Sequence, residues 1–346
     1  MQPAFQLAGM IRAGFIPRGI FSRFQLSTKG NRYLYYRRII MKKRAFYLIV
    51  LICVSLLLSM PAAAEFSQIV AFGDSLTDNG TNLFYGDYHG IDHFSNGDVW
   101  VEYLADSRGI SLDDWAYGGA YTGYGANFDP GNYGLLWQVG GYLTDHPAAQ
   151  PSALYTIWAG GNDFLALSSG DDVSATISNA AGNIVAAVGS LAGAGARNFL
   201  VLNLPDLGRI PRYNGDYDPA NPGPVSGGST YLASAFNQTL DSYLANYMAS
   251  PDNPGINLCQ LDTFTFLNDI IDGDYFLNDT EPWWGSGEDP NDYLFWDDIH
   301  PTTGTHWLLA EAADQQLNSC VPVPPSFLLL ISGLVGLVGI KRKLAA

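Results

Sequence analysis

The chain has 346 residues, with 33 Asp and Glu against 17 Lys and Arg, and a formal charge of −16 at pH 7. Every acid lies between residues 65 and 320, where the only cations are Arg108, Arg197, Arg209 and Arg212 and there is no lysine, so this segment stands at −29. Such a surface repels polyanions, which excludes nucleic acid as a partner.

The first 40 residues hold seven basic residues and no acid. A second beginning follows at Met41: Lys42, Lys43 and Arg44, an apolar run over 45–58, then Pro61 and Ala62-Ala63-Ala64. A positive start, a short apolar stretch and small residues are the layout of a secretory signal peptide, so cleavage is expected after Ala64. The run of 14 residues is short of the roughly 20 that a membrane span needs. Residues 1–40 then read as an upstream extension with Met41 as the true start, an Arg-rich transit peptide being the rival reading.

Residues 65–320 are long enough for one domain with a sizeable core. Cys53 leaves with the leader, and Cys259 and Cys320 remain as an even pair in an exported chain, a candidate disulfide. It would tie the last helix to a core strand and stabilise the fold by roughly 4 kcal/mol in the chain-entropy model. Two unrelated thiols are the alternative.

Apolar runs predict strands at 69–72, 154–158, 199–204 and 256–261, and helical spacing predicts helices at 99–107, 173–192, 231–248 and 302–317. Strands alternating with helices imply an α/β fold whose parallel sheet is covered on both faces. Ligands in such folds sit beyond the carboxyl ends of the strands. Residues 206–229 and 276–296 read as loops able to border a site. After the last helix come Val321-Pro322-Val323-Pro324-Pro325, an apolar run over 327–340 and Lys341-Arg342-Lys343.

Three segments carry candidate chemistry. Gly73-Asp74-Ser75-Leu76 follows the first strand, where a serine can present Oγ and lend its own N–H, at the start of a helix, to a developing anion. Thr77 stands where the Gly-x-Ser-x-Gly elbow would need its second glycine, which argues against the standard α/β-hydrolase fold. In Asp297-Asp298-Ile299-His300-Pro301, Asp297 can turn its carboxylate onto the Nδ1–H of His300 and leave Nε2 free to take a proton from Ser75. Asp298 is a rival for that role, only two residues from the ring, and Pro301 suits the first turn of the following helix. Asn162, in Gly160-Gly161-Asn162-Asp163, offers a second oxyanion donor, and the loop Trp115-Ala116-Tyr117-Gly118-Gly119-Ala120 a third, its two glycines being inseparable on physical grounds.

Other residues have plainer readings. His89 and His93 sit four apart with Asp87 and Asp92 near, but Gly90 and the loop composition weigh against a helix and a zinc site needs a third ligand. Asp269, Asp272, Asp274 and Asp279 lack the calcium-loop pattern. His306 reads as structural. Tyr117, Tyr121, Tyr124, Trp283, Trp284 and Trp296 are candidates to line an acyl or sugar pocket.

Taken in order, these segments resemble the SGNH hydrolases, the GDSL lipase/esterase family, over nearly all of 67–318. The likeness is carried by the run from Ile69 to Gly80, Phe94-Ser95-Asn96-Gly97, Gly119, Gly160-x-Asn162-Asp163, Asn203-Leu204-Pro205-Asp206-Leu207-Gly208 and Asp297-x-x-His300-Pro301-Thr302. The resemblance implies a flavodoxin-like three-layer α/β/α sandwich. It also implies a secreted serine ester hydrolase with Ser75 as nucleophile, His300 as base and Asp297 as its orienter, an oxyanion hole of Ser75, Gly119 and Asn162, and no metal or cofactor. A polysaccharide O-deacylase or an acyltransferase would use the same triad, and a surface or matrix protein that kept the fold without the activity is the reading of another class. The tail resembles the PEP-CTERM sorting signal of exopolysaccharide-producing Gram-negative bacteria, with Val323 where that family has Glu. It implies a membrane sorting protease as partner and a final place at the cell surface or outside the cell.

Overall fold

The computed structural model describes residues 66–80, 93–127, 129–214, 228–251 and 253–320, together with Met41 and Tyr47. Two units separate, Met1–Ala62 and Ala63–Ala346. In the first, Met41 and Tyr47 are exposed helical residues. The upstream extension, the body of the signal peptide, His89 and the tail over 321–346 lie outside the described residues.

In the second unit the chain runs β1 (Gln68–Gly73), α1 (Trp100–Arg108), β2 (Ser111–Asp114), α2 (Leu135–Asp145), β3 (Leu154–Trp158), α3 (Gly161–Leu165), α4 (Val173–Ala194) and β4 (Asn198–Leu202). It continues through a 3-10 turn at Leu207–Arg209, α5 (Pro211–Asn214), α6 (Gly228–Ala249), β5 (Asn257–Leu261), α7 (Thr263–Asp272), β6 (Asn278–Pro282), β7 (Tyr293–Phe295) and α8 (Thr303–Cys320). Five strands form one parallel sheet in the order β2-β1-β3-β4-β5. This is the flavodoxin-like order, whose switch point between β1 and β3 opens a crevice at the strands' carboxyl ends.

The period-2 alternation of strand side chains divides the core into two layers. Val70, Phe72, Tyr155, Ile157, Phe199 and Val201 face one way, onto apolar residues of α2, α4 and α6. Ile69, Ala71, Leu154, Trp158, Leu200 and Leu202 face the other way, onto α1 and α8. With helices on both faces, the strands read as nearly unbroken apolar runs, which is why four of them are legible in the sequence. Each fully buried large side chain contributes about 1.5–3 kcal/mol, and Trp100, Phe72, Phe199 and Phe236 are all fully buried.

The elements that periodicity did not predict have identifiable causes. β2 is Ser-Leu-Asp-Asp, polar in composition and held as a strand by pairing with β1. α2 carries Gly140 and Gly141 in its interior, which weakens any helical signal. α7 starts on the side chain of Asp262, which accepts the N–H of Thr265. β6 and β7 lie within the segment read as a loop and pair as a short parallel ribbon. β4 ends at Leu202 rather than 204, because the buried Asn237 side chain captures both the N–H and the carbonyl of Leu204 and lifts the chain off the sheet.

Cys259 on β5 and Cys320 at the end of α8 pack in one apolar cluster, and both are free thiols. Burial, with the adjacent Cys320, pushes the Cys259 thiol up to about 12. The candidate disulfide is not formed in this structure, and burial disfavours the Cys259 thiolate that thiol chemistry runs through.

Gly73 lies where β1 meets β3 most closely. A Cβ there would stand 2.4 Å from the Trp158 carbonyl oxygen, whereas one at Gly140 meets nothing within 4 Å. Gly73→Ala should therefore lower stability by about 1–3 kcal/mol, while Gly140→Ala should raise it by about 0.5–1 kcal/mol. Urea midpoints of the two variants measure the contrast.

Candidate active site

Three loops meet at the carboxyl edge of the sheet: the turn after β1, the loop after β2 and the segment between β7 and α8. Ser75 is the second residue beyond β1. Residues 75–77 form a single turn, with the N–H groups of Thr77 and Asp78 both donating to the Asp74 carbonyl, rather than the helix start expected there. The turn is seated by Gln138 of α2, fully buried, whose amide accepts from Gly73 N–H at 3.0 Å and donates to the Gly73 carbonyl at 2.7 Å. Nothing in the sequence marks Gln138, since the backbone atoms through which it seats the turn lie 65 residues away.

The Ser75 hydroxyl lies 2.7 Å from His300 Nε2, and His300 Nδ1 lies 2.7 Å from Asp297 Oδ2. All three residues are buried, each less than a tenth exposed. Asp297 Oδ1 accepts the N–H groups of Ile299 and His300, so one carboxylate folds its own loop and fixes the ring. Burial acts to raise the Asp297 carboxyl, but His300 and these hydrogen bonds outweigh it and hold it below the usual carboxylate range. An ionised Asp297 fixes the tautomer with the proton on Nδ1, leaving the Nε2 lone pair toward Ser75. Asp298, the rival, turns away and pairs with Arg212.

Pro301 does not open the next helix. It bridges to Phe295, and Thr302 caps α8 instead, its carbonyl accepting from Thr305 and His306. His306 is fully buried and accepts the Trp100 N–H at Nδ1. Burial depresses its imidazole to about 3, so it is a neutral structural histidine joining α8 to α1.

The two glycines of the loop after β2 separate cleanly. The N–H of Gly118 donates to Asp78 Oδ2 at 2.8 Å, and Phe94 occupies the space where its Cβ would be. Gly119 has φ 77°, which favours glycine. Among the described residues neither its N–H nor that of Ser75 meets an acceptor. Asn162 lies beside them, its Oδ1 accepting from Asn127 at 2.8 Å and its Nδ2 donating to the Ala120 carbonyl at 3.1 Å. Asn127 carries no motif and becomes visible only through this contact.

Four buried carboxylates hold these loops, and all are fixed by neutral donors. Asp78 accepts from Gly80 and Gly118. Asp114 accepts from Asn79 and Ala116. Asp163 takes the N–H and the hydroxyl of Thr122, and Asp74 takes the Leu76 N–H. Burial pushes Asp74 up to about 7, Asp78 and Asp163 up to about 6, and Asp114 well above the usual range.

Ser75, His300, Gly119 and Asn162 line one chamber of about 310 Å³. Its inner wall is apolar, with Leu204, Leu207, Phe266, Leu267, Phe295 and Leu309. The six aromatics expected to line it do not. Tyr117 stacks on Tyr133 at 4.3 Å, Trp296 is buried and packs against Trp284, and Tyr124 is exposed. Phe94 and Trp158 line the chamber in their place. His93 lies 3.0 Å from Glu102, whose carboxylate also accepts the Val99 N–H at the start of α1.

Residues 69–313 match the family model described as GDSL-like Lipase/Acylhydrolase. The chain is 27% identical over 281 residues to a thermolabile hemolysin of Vibrio parahaemolyticus, covering 74% of this chain and 65% of that protein. It is 26% identical over 322 residues to a phosphatidylcholine-sterol acyltransferase of Aeromonas hydrophila, covering 73% and 91%. It is 28% identical over 313 residues to the esterase EstA of Pseudomonas aeruginosa, covering 72% and 46%. The chain thus spans less than two thirds of the hemolysin and less than half of the esterase.

The buried acids make a signed prediction about pH. Their folded pKa values lie above the ordinary 3.8, so these acids bind more protons in the folded state than in the unfolded chain between about pH 4 and 7. Together they outweigh the single buried His306, which acts the other way below its ordinary 6.5. Stability should therefore rise as pH falls from 8 to 5, and Asp78→Asn should flatten that slope. Melting temperatures across this range test it, and a steady fall toward pH 5 would contradict it.

Proposed function

This chain belongs to the GDSL-like lipase/acylhydrolase family, and from that premise we propose that it is a serine hydrolase of carboxylic esters. The observation that carries the reading is the buried Ser75–His300–Asp297 row, with two contacts of 2.7 Å, at the mouth of an apolar chamber. In the reaction, Ser75 Oγ attacks the ester carbonyl carbon as its proton passes to His300 Nε2. The carbonyl oxygen, now negative, sits against the free N–H groups of Ser75 and Gly119 with the Asn162 amide beside them. The C–O bond to the alcohol breaks, and the alcohol leaves with the proton from His300. Water then gives a proton to His300, attacks the acyl-serine and releases the acid, and the proton returns to Ser75. Asp297 stays ionised throughout and stabilises the imidazolium formed in each half-reaction.

The leader pattern at 41–64 and the basic-ended tail at 321–346 support export to the cell surface or beyond, with a membrane sorting protease acting on the tail. The chamber is near the lower end of the range of about 300–1,000 Å³ for ligand pockets, which suits acyl chains that it encloses fully.

Ser75→Ala and Asp297→Asn should each lower kcat by about 10³-fold or more without unfolding the protein. Asn162→Ala should cost about 10²-fold. On p-nitrophenyl esters, kcat/KM should rise from acetate to butyrate by a few-fold per methylene, at about 0.8 kcal/mol each, and stop rising before palmitate. Ester cleavage that survives Ser75→Ala would sink the serine mechanism.

A further inference from the structure

The four arginines of the acidic unit have different duties. Arg108 pairs with Asp314 on α8. Arg197 donates to the carbonyls of Ala192 and Ala196 at the end of α4. Arg209 pairs with Asp272 at the end of α7. Arg212 alone lines the chamber that holds Ser75 and His300. Its Nε and Nη2 meet the two oxygens of Asp298 at 2.8 and 3.2 Å, and its backbone N–H donates to the Asp298 carbonyl at 2.9 Å. The guanidinium is therefore held in one orientation by the loop that carries His300. Its side chain remains 39% exposed, and its remaining N–H groups have no acceptor among the described residues.

Although Asp298 already pairs with two of its nitrogens, the guanidinium keeps further donors and lines the chamber beside the catalytic residues. The wall around it is apolar, and the rest of the unit is strongly negative and would repel an anionic substrate. Among the described residues the other titratable groups lining the chamber are Asp74, His300 and His306, none of which can receive an anion while it serves the roles above. We propose that Arg212 is a specificity-determining residue that binds a phosphate-like oxyanion carried by the ester substrate. The inference rests on the ester-hydrolase reading of the same site. A planar guanidinium presents paired donors that match the oxygens of phosphate, and the geometry is lost with lysine. Asp298 fixes the fork in advance, which reduces the ordering cost of binding. The surplus acids of the surface then weaken binding of anions elsewhere, so selectivity is concentrated at one point beside Ser75.

The test compares two soluble esters with the same acyl groups, 1,2-dihexanoylglycerol 3-phosphate and 1,2-dihexanoylglycerol, each below its aggregation concentration. Arg212→Gln should raise KM for the phosphate ester about tenfold, as expected for a lost hydrogen bond to a charged group, and leave the neutral ester within about twofold. Arg212→Lys should fall between. A role confined to tethering the His300 loop predicts instead that Arg212→Gln and Asp298→Asn slow both esters equally through kcat, and that result overturns the proposal. Calorimetric binding of hexyl phosphate to Ser75→Ala, with and without Arg212→Gln, separates the two layers of the argument. Arg212-dependent binding without cleavage of either ester keeps the anion site and defeats the hydrolase reading. Cleavage of both esters with no dependence on Arg212 does the reverse, and neither binding nor cleavage defeats both.

Discussion

Carboxylates in this protein are held mainly by backbone N–H groups, and the geometry of the site depends on that. With 33 acids and four arginines in residues 65–320, ion pairing cannot neutralise more than a few. Asp78, Asp114, Asp163 and Asp297 each accept at least one backbone N–H from a loop at the carboxyl edge of the sheet. A buried carboxylate with such donors is costly to remove, because the N–H groups would be left unsatisfied. Each loop is thereby fixed by an internal hydrogen-bond acceptor rather than by a mobile surface salt bridge.

Two of these acids produce opposite electrostatic outcomes for clear reasons. Asp297 has His300 beside it and two backbone donors on one oxygen, and its carboxyl stays low. Asp78 and Asp163 are hydrogen-bonded by neutral donors, with His93 a weak opposing influence on Asp78, and burial carries them up to about 6. The acid whose carboxyl stays low is the one with a histidine ring as its neighbour. The others act as clamps, and the loop bearing Gly118 and Gly119 is the element they clamp.

The chamber combines this fixed polar edge with an apolar interior drawn from both core layers. Leu204 belongs to the cluster under α4 and α6, and Leu309 to the one under α1 and α8. The site therefore sits where the two layers meet at the sheet's edge, as the switch-point rule requires. Arg212 is placed at that junction by its pairing with the residue next to Asp297, so anion recognition and base positioning share one loop.

The sequence by itself determined the alternation of strands and helices, the segments bearing Ser75, Asn162 and His300, and the charge imbalance, because these are local patterns: apolar period, residue type and spacing. β2, α2 and α7 were hidden because pairing, packing and a cap create them against weak local signals. The physical reason that separates Gly119 from Gly118 is tertiary, since only the packed loop shows Asp78 taking the Gly118 N–H while that of Gly119 meets no acceptor among the described residues. For Asp297 over Asp298, a choice that spacing already favoured, tertiary structure added the reason that the second acid is claimed by Arg212, 86 residues away in the chain. Gln138, Asn127 and Arg212 had no motif to announce them. Their roles are set by contacts between distant segments, and such contacts exist only once the sheet has brought its loops to one edge.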